Sequence, residues 1–242
     1  MISLSQDWAI ISQALYSREY ADELAELLKK HNVKSILECG CGNGNILHEL
    51  AQRGFSGVGI DSCQEMISLA NTNHSHPSLE YRLLDWVQLN LISEQFDALI
   101  CRGNSLAAAT SWNLSPSQFH TFSPEEAREE IQESIRLFFQ KIKKRGLLYV
   151  DYPANLEAEY QELSLQTQNI NVRGLLVHNK KRKTRVVTGG GIINNEFFFN
   201  SSITYLWSSK ELEQMIQAQF PEQVFHPKLE HEPYYHPVCA IK

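Results

Sequence analysis

Long hydrophobic runs are missing from this chain of 242 residues. None approaches the roughly 20 apolar residues that a membrane-spanning helix needs, so no membrane partner is expected and the cytoplasm is the expected compartment. Cysteine is sparse and odd in number: Cys39, Cys41, Cys63, Cys101 and Cys239. An odd count with no secretory segment argues against a disulfide framework. Cys39-x-Cys41 lacks the two-residue spacer of a zinc knuckle, and no second Cys/His pair is suitably spaced, so no metal is expected. Positive charge is not in excess: 22 Lys and Arg against 28 Asp and Glu give a net charge of −6. A surface built for a nucleic-acid duplex more often makes a domain basic, so nucleic acid is disfavoured as a partner. Internal repeats and low-complexity segments are also lacking, which leaves no basis for a repeat array or a disordered linker.

What is present fits a globular protein. Hydrophobic content is 43% and charged content 21%, enough to bury a full core in one domain with a small insertion. Residues 17–31 carry Tyr20, Leu24, Leu27 and Leu28 on one helical face. The spacing then predicts strands over 34–39, 57–61, 79–84, 96–101 and 147–151. Helices are expected over 45–52, 64–70 and from Ser123 onward. Ser123-Pro124-Glu125-Glu126 is a capping box with proline at the first helical position. That helix is expected to end in Lys141, Lys143, Lys144 and Arg145, with Gly146 as its stop. Strands alternating with helices mark a parallel sheet covered on both faces.

After residue 151 the pattern changes. Two or three strand-like runs lie over 172–178, 185–188 and 196–207. Asn179-Lys180-Lys181 and Gly189-Gly190-Gly191 read as the turns of an antiparallel extension. The basic run Lys180, Lys181, Arg182, Lys183 and Arg185 reads as its solvated tip. Ser208-x-x-Glu211 opens one more helix, and two last strands are expected near 224–226 and 238–241. The expected fold class is α/β: a doubly wound, mostly parallel seven-stranded sheet with an antiparallel β insertion. Residues 1–32 are expected to form N-terminal lid helices, 33–151 the ligand-binding core, 152–207 the insertion and 208–242 the last helix and strands.

The stretch from Ile36 to Leu47 organises all of this. An apolar run stops at Glu38, glycines follow at positions 40, 42 and 44, and a helical pattern begins. Glycine tolerates positive φ and lets a ligand approach the backbone. A dinucleotide fingerprint would be G-x-G-x-x-G, with pyrophosphate on the helix N-terminus. Here the third glycine comes one residue early, and Glu38 puts a negative charge at the turn. That repels a pyrophosphate and suits a cationic or zwitterionic ligand. Ligands in open α/β sheets lie beyond the carboxyl ends of the strands. Those ends carry Asp61, Asp85-Trp86 and Arg102-Gly103-Asn104-Ser105. A carboxylate such as Asp61 can accept two ribose hydroxyls. Asp85 can accept from an adenine amino group, and Trp86 can stack. The Gly40 backbone and the Arg102 carbonyl can hold an ammonium.

Glu38-x-Gly40-x-Gly42-x-Gly44 resembles the first motif of class I S-adenosylmethionine (SAM)-dependent methyltransferases, whose fold is Rossmann-like. Phe96-Asp97-Ala98-Leu99-Ile100-Cys101-Arg102-Gly103-Asn104-Ser105 is similar to the strand-four region of glycine and glycine/sarcosine N-methyltransferases. Glu19-Tyr20, Asp85-Trp86 and Gly146-Leu147-Leu148 before Asp151 resemble that family too. The resemblance implies SAM as cofactor, contacted by Gly40, Asp61, Asp85, Trp86 and Arg102. Glu38, Gly42, Ser62 and Met66 complete that set. From the lid it implies Trp8 and Tyr20, with the SAM carboxylate falling to Tyr16 by spacing or to Arg18. Asn104 is implied near the acceptor amine, and Tyr152 and His120 are the other candidates for orienting it or taking its proton.

The expected reaction is methyl transfer to a small molecule, at an amine or guanidino nitrogen. The glycine-using enzymes place an arginine shortly after the strand-five acid, where it pairs with the acceptor carboxylate. Here Pro153 stands there, so free glycine is not expected as the substrate. Aromatic candidates for the acceptor side include Trp112, Tyr205, Tyr234, Tyr235 and His236, with Asn155 beside them. The alternatives are an O-methyltransferase of a natural-product intermediate, a protein or nucleic-acid methyltransferase, and a non-catalytic SAM-binding module. The loop after strand four lacks the N/D-P-P-Y/F/W pattern used on base amines and glutamine amides. Monomer and homo-oligomer both remain open.

Overall fold

A computed structural model describes residues 10–11, 17–108, 123–154, 159–232 and 234–242. Helix α1 (Arg18–Lys30) starts at Ser17, whose hydroxyl accepts from the Tyr20 N–H at 3.3 Å. Tyr20, Leu24 and Leu28 recur at helical spacing and are fully buried, each large apolar side chain contributing about 2 kcal/mol on leaving water. Strand and helix then alternate: β1 (Ser35–Cys39), α2 (Asn45–Gln52), β2 (Ser56–Asp61), α3 (Gln64–Asn73) and β3 (Leu79–Leu83). A 3-10 turn (Trp86–Leu91), β4 (Phe96–Cys101), the short α4 (Ser105–Ala108), α5 (Pro124–Lys141) and β5 (Ile142–Pro153) follow. The rest is β6 (Tyr160–Gln166), β7 (Ile170–Asn179), β8 (Thr184–Ile193), β9 (Glu196–Tyr205), α6 (Ser209–Gln217), β10 (Gln223–Phe225) and β11 (Tyr235–Ile241).

Seven strands form one sheet in the order β10-β11-β5-β4-β1-β2-β3. The first five are parallel, and β11 inserts antiparallel between β5 and β10. Each face carries its own core. On one, Ile131 and Phe138 of α5 and Met215 of α6 meet Leu37, Leu99 and Val150. On the other, Leu24, Leu47 and Ile67 of α1, α2 and α3 meet Ile36, Ile100 and Tyr149. This is the doubly wound α/β architecture expected from the alternation. Both expected capping boxes form: Ser123 with Glu126 and Ser208 with Glu211. Among the described residues no helix is long and apolar enough to cross a membrane. None of the five cysteines forms a disulfide.

Three expectations are corrected. The basic run 143–145 does not end a helix: α5 stops at Lys141, and Ile142, fully buried, already pairs with Phe96 in β5. Lys143 then reaches Asp97 Oδ1 at 2.9 Å, and Gly146 is needed because a Cβ there would lie 2.7 Å from the Asp97 carbonyl oxygen. The glycine run 189–191 is not a turn but lies within β8. A Cβ on Gly191 would fall 2.1 Å from the Asn171 carbonyl oxygen, so the bare backbone lets β7 approach. The hairpin turn is Asn194-Asn195, both at positive φ, as a two-residue turn matching strand twist requires. The insertion also has four strands rather than two or three, because β6 adds to β7.

One face of this second sheet carries Ile170, Ile193 and Phe198, packed with Ile11. The opposite face exposes Tyr160, Leu175, Val177, Ile192, Phe197 and Phe199.

Candidate functional site

The strand order reverses between β1 and β4, which run outward to opposite sides of the sheet. A crevice opens at such a switch point, beyond the strands' carboxyl ends. Glu38 sits at the end of β1 and Arg102 immediately after β4. Arg102 Nε lies 3.3 Å from Glu38 Oε1, so an ion pair bridges the switch point. The Tyr20 ring lies against the Arg102 guanidinium at 5.8 Å, and the Tyr20 hydroxyl is 3.3 Å from that of Tyr149. Tyr20 is fully buried. Glu38 Oε2 is buried with no hydrogen-bond partner among the described residues. Burial pushes the Glu38 carboxyl up to about 7, against the pull of Arg102.

The turn behind Glu38 is fixed by its neighbour strand. The N–H groups of Gly40 and Cys41 both donate to the Ile60 carbonyl at 2.9 Å. Gly40, Gly42 and Gly44 all have positive φ, at 71°, 54° and 77°. The last two play different parts. Gly44 is the N-cap of α2, and a Cβ there would strike the Tyr81 ring at 2.6 Å. A Cβ on Gly42 would meet nothing within 4 Å, so its face is open.

Asp61, at the end of β2, holds this open turn. Its Oδ2 accepts from Gly42 N and its Oδ1 from Cys63 N, each at 2.9 Å. A carboxylate oxygen can accept twice, so each keeps a lone pair. Burial raises the Asp61 pKa, partly offset by these two N–H donors. Ser62 is exposed and Met66 is buried on α3. Asp85 caps the 3-10 turn by accepting from Val87 N at 3.1 Å, a role its sequence context had not suggested. Trp86 packs edge-on against Phe138 at 5.6 Å, and its ring edge lies 3.5 Å from where a Cβ on Gly40 would be.

On the β4–β5 side a second carboxylate repeats the arrangement. Asp151 Oδ2 accepts from Gly103 N at 2.8 Å and Oδ1 from Asn104 N at 2.6 Å. Asn104 has φ of 60° and is buried. Burial lifts the Asp151 pKa to about 6 despite those donors. Glu232, buried just before β11, joins this group. Its Oε1 accepts from Tyr234 N at 3.1 Å, and its Oε2 has no partner among the described residues. Burial first, then the charge of Asp151, pushes Glu232 up to about 7.

Not every expected site residue arrives here. Tyr152 faces away from Asp151, as alternation along a strand requires; it packs on the α5/α6 core and hydrogen-bonds Ser209. Arg18 is exposed on α1, with its carbonyl accepting from Arg53 Nη2 at 3.3 Å. Trp8, Tyr16, Trp112, His120 and Asn155 lie outside the described residues. Sequence reasoning missed Glu232 and misplaced Arg185. Arg185 is not part of a solvated tip: it lies in β8 and hydrogen-bonds the Tyr235 hydroxyl. Its place two residues inside a strand, beyond the turn, was the available signal. Among the described residues, no group of three or more His, Cys, Asp or Glu is placed to hold a metal ion.

The arrangement suits a ligand that is cationic at one end, rich in hydroxyls and free of phosphate. The partnerless oxygen of Glu38 asks for a donor, Asp61 has two lone pairs to give, and Gly42 leaves room for contact.

Comparisons with known proteins point the same way. Residues 36–137 match the family model described as a methyltransferase domain. The glycine/sarcosine N-methyltransferase of Aphanothece halophytica is 32% identical over 127 residues, covering 51% of this chain and 42% of the relative. The glycine N-methyltransferase of Oryctolagus cuniculus is 26% identical, covering 55% of this chain and 45% of the relative. The chain thus matches less than half the length of these curated relatives. Among solved structures, SAM-bound CalS10, an amino pentose methyltransferase from Micromonospora echinaspora, superposes with a TM-score of 0.72. At 13% identity, covering 100% of this chain and 98% of the other, that likeness is one of fold. The resemblance read in the sequence, to class I methyltransferases and to the glycine/sarcosine group, is borne out.

Proposed function

We propose that this chain, which carries the class I methyltransferase fold, is a SAM-dependent methyltransferase acting on a small-molecule amine. The observation that carries the reading is the glycine turn held by Asp61 beside the buried, half-paired Glu38. When bound there, SAM supplies an electrophilic methyl group on a sulfonium. The chain's own residues then have separable tasks. Glu38 provides negative potential for the ammonium of the cofactor. Asp61 would accept from two ribose hydroxyls with its remaining lone pairs. Asp85 and Trp86 would border the adenine, and the open face of Gly42 would permit backbone contact.

Displacement at a methyl carbon needs the acceptor lone pair, the carbon and the sulfur in line. Holding that geometry and excluding water can supply most of the rate enhancement. Asn104, fixed by Asp151 through the backbone, would orient an acceptor beyond β4. An amine must be neutral to attack. Glu232, with a pKa near 7 and a partnerless oxygen, is suited to take its proton. Relatives named for N-methylation support nitrogen over oxygen as the acceptor atom.

Calorimetric titration with S-adenosylhomocysteine tests the cofactor site. Micromolar binding to the native chain is expected, with at least a tenfold loss in Asp61→Ala. Equal affinity in the two would remove the assignment. Methyl-labelled turnover across amines, guanidines and phenols then tests the acceptor class.

A further inference from the structure

The second sheet buries a guanidinium that meets no counter-charge among the described residues. His178, Arg185 and Thr204 are register partners across β7, β8 and β9. Cross-strand partners project from the same face with Cβ atoms roughly 5 Å apart. That face is the covered one, which also carries Leu176, Ile193 and Phe198. Arg185 Nε and Thr204 Oγ1 are both buried with no hydrogen-bond partner among the described residues. His178 is 6% exposed beside them. Among the described residues no carboxylate pairs with Arg185; its side chain donates to the Tyr235 hydroxyl. A guanidinium has five donors and cannot shed its proton. Buried charges persist when paired, and an unpaired one is strongly disfavoured.

The place matters as much as the charge. Tyr235 opens β11 directly opposite Pro153 at the carboxyl end of β5. Asp151 and Glu232 both act electrostatically on Tyr235. Tyr235 therefore stands between the carboxylates of the crevice and Arg185. Arg185 reaches, from the other sheet, the strand neighbour of the position where Pro153 excludes a guanidinium.

We infer that Arg185, with Thr204 and His178, is an oxyanion subsite for the methyl acceptor, so that the acceptor carries a carboxylate or phosphate as well as its amine. The inference rests on the methyltransferase reading above. It assigns the anion-recognising side chain to the inserted sheet, whereas SAM is held by the parallel one. Arg185 and Thr204 supply the donors, and Tyr235 fixes the guanidinium plane.

The test uses the full chain saturated with S-adenosylhomocysteine, titrated calorimetrically with acetate, inorganic phosphate and acetamide, the neutral isostere of acetate. Saturable binding of acetate or phosphate is expected, at least tenfold tighter than acetamide, and the tighter of the two anions names the group. Arg185→Gln should weaken that anion at least tenfold while S-adenosylhomocysteine affinity stays within twofold; Arg185→Lys should fall between. Wild-type chain that binds neither anion better than acetamide overturns the inference, as does Arg185→Gln binding the anion like wild type. Failure of S-adenosylhomocysteine to bind at all would instead remove the methyltransferase reading.

Discussion

At the scale of single residues, Gly42 and Gly44 make a matched pair. Both have positive φ, but only Gly44 has a ring in the way of a side chain. Gly42→Ala carries the left-handed penalty of roughly 1–2 kcal/mol, or about 2–8 °C in Tm for a chain of this size. Its main effect should be on S-adenosylhomocysteine affinity, because the new methyl occupies the open ligand face. Gly44→Ala adds a clash with Tyr81 and the α2 N-terminus, so its Tm should fall further than that of Gly42→Ala. Thermal melts with and without ligand separate the two; a larger melting loss in Gly42→Ala would contradict the assignment. Which residues were legible follows from this local character. Glu38, the glycines and Asp61 carry their chemistry in short spacing. Glu232 and Arg185 do not. Their partners, Asp151 and Tyr235, come from distant sequence, and only the sheet register brings them together.

Among elements, β8 shows where local propensity fails. A run of three glycines reads as a turn because glycine weakens a strand on its own. In β8 the glycines are required by backbones that approach from both sides, Asn171 on one and Phe198 on the other. Gly191→Ala should disrupt β7–β8 pairing. Turnover of an acceptor should then drop at least tenfold while S-adenosylhomocysteine affinity, set on the parallel sheet, changes less than threefold. Parallel loss of both would show that the two sheets are not separable in function. The α5–β5 boundary failed for a related reason. Lys143 to Arg145 look like the basic end of a helix, but the burial of Ile142 against Phe96 commits the chain to a strand first. The strands and longer helices between 17 and 141 were readable because apolar periodicity and capping boxes agreed with the tertiary packing.

Across the whole molecule, the alternating pattern was enough to give a doubly wound, mostly parallel sheet, since strands alternating with helices pair in parallel with helices on both faces; the order of the strands came only with the structure. It could not give the charge economy of the crevice. Burial raises Glu38 and Glu232 to about 7 and Asp151 to about 6. Groups raised on folding take up protons between the ordinary carboxylate range and these values. The ligand-free chain should therefore gain stability as pH falls from 8 to 6. Affinity for the ammonium-bearing S-adenosylhomocysteine should move the other way. With Glu38 ionised above about 7 and neutral below, affinity should drop about tenfold from pH 8 to 6. Glu38→Gln should flatten that dependence, and any slope left belongs to Asp151 and Glu232. A pH-independent wild-type affinity would rule out Glu38 as the charge that matters.

Asp61 and Asp151 each stand at the end of one strand and hold the main chain of the loop on the strand beside it. Neither grips a side chain of that loop. A loop clamped by its peptide groups can trade its side chains without losing its path. The crevice is therefore a socket with interchangeable fittings: changes of side chain at 103–105 that keep the left-handed backbone should redirect what is accepted long before they endanger the fold.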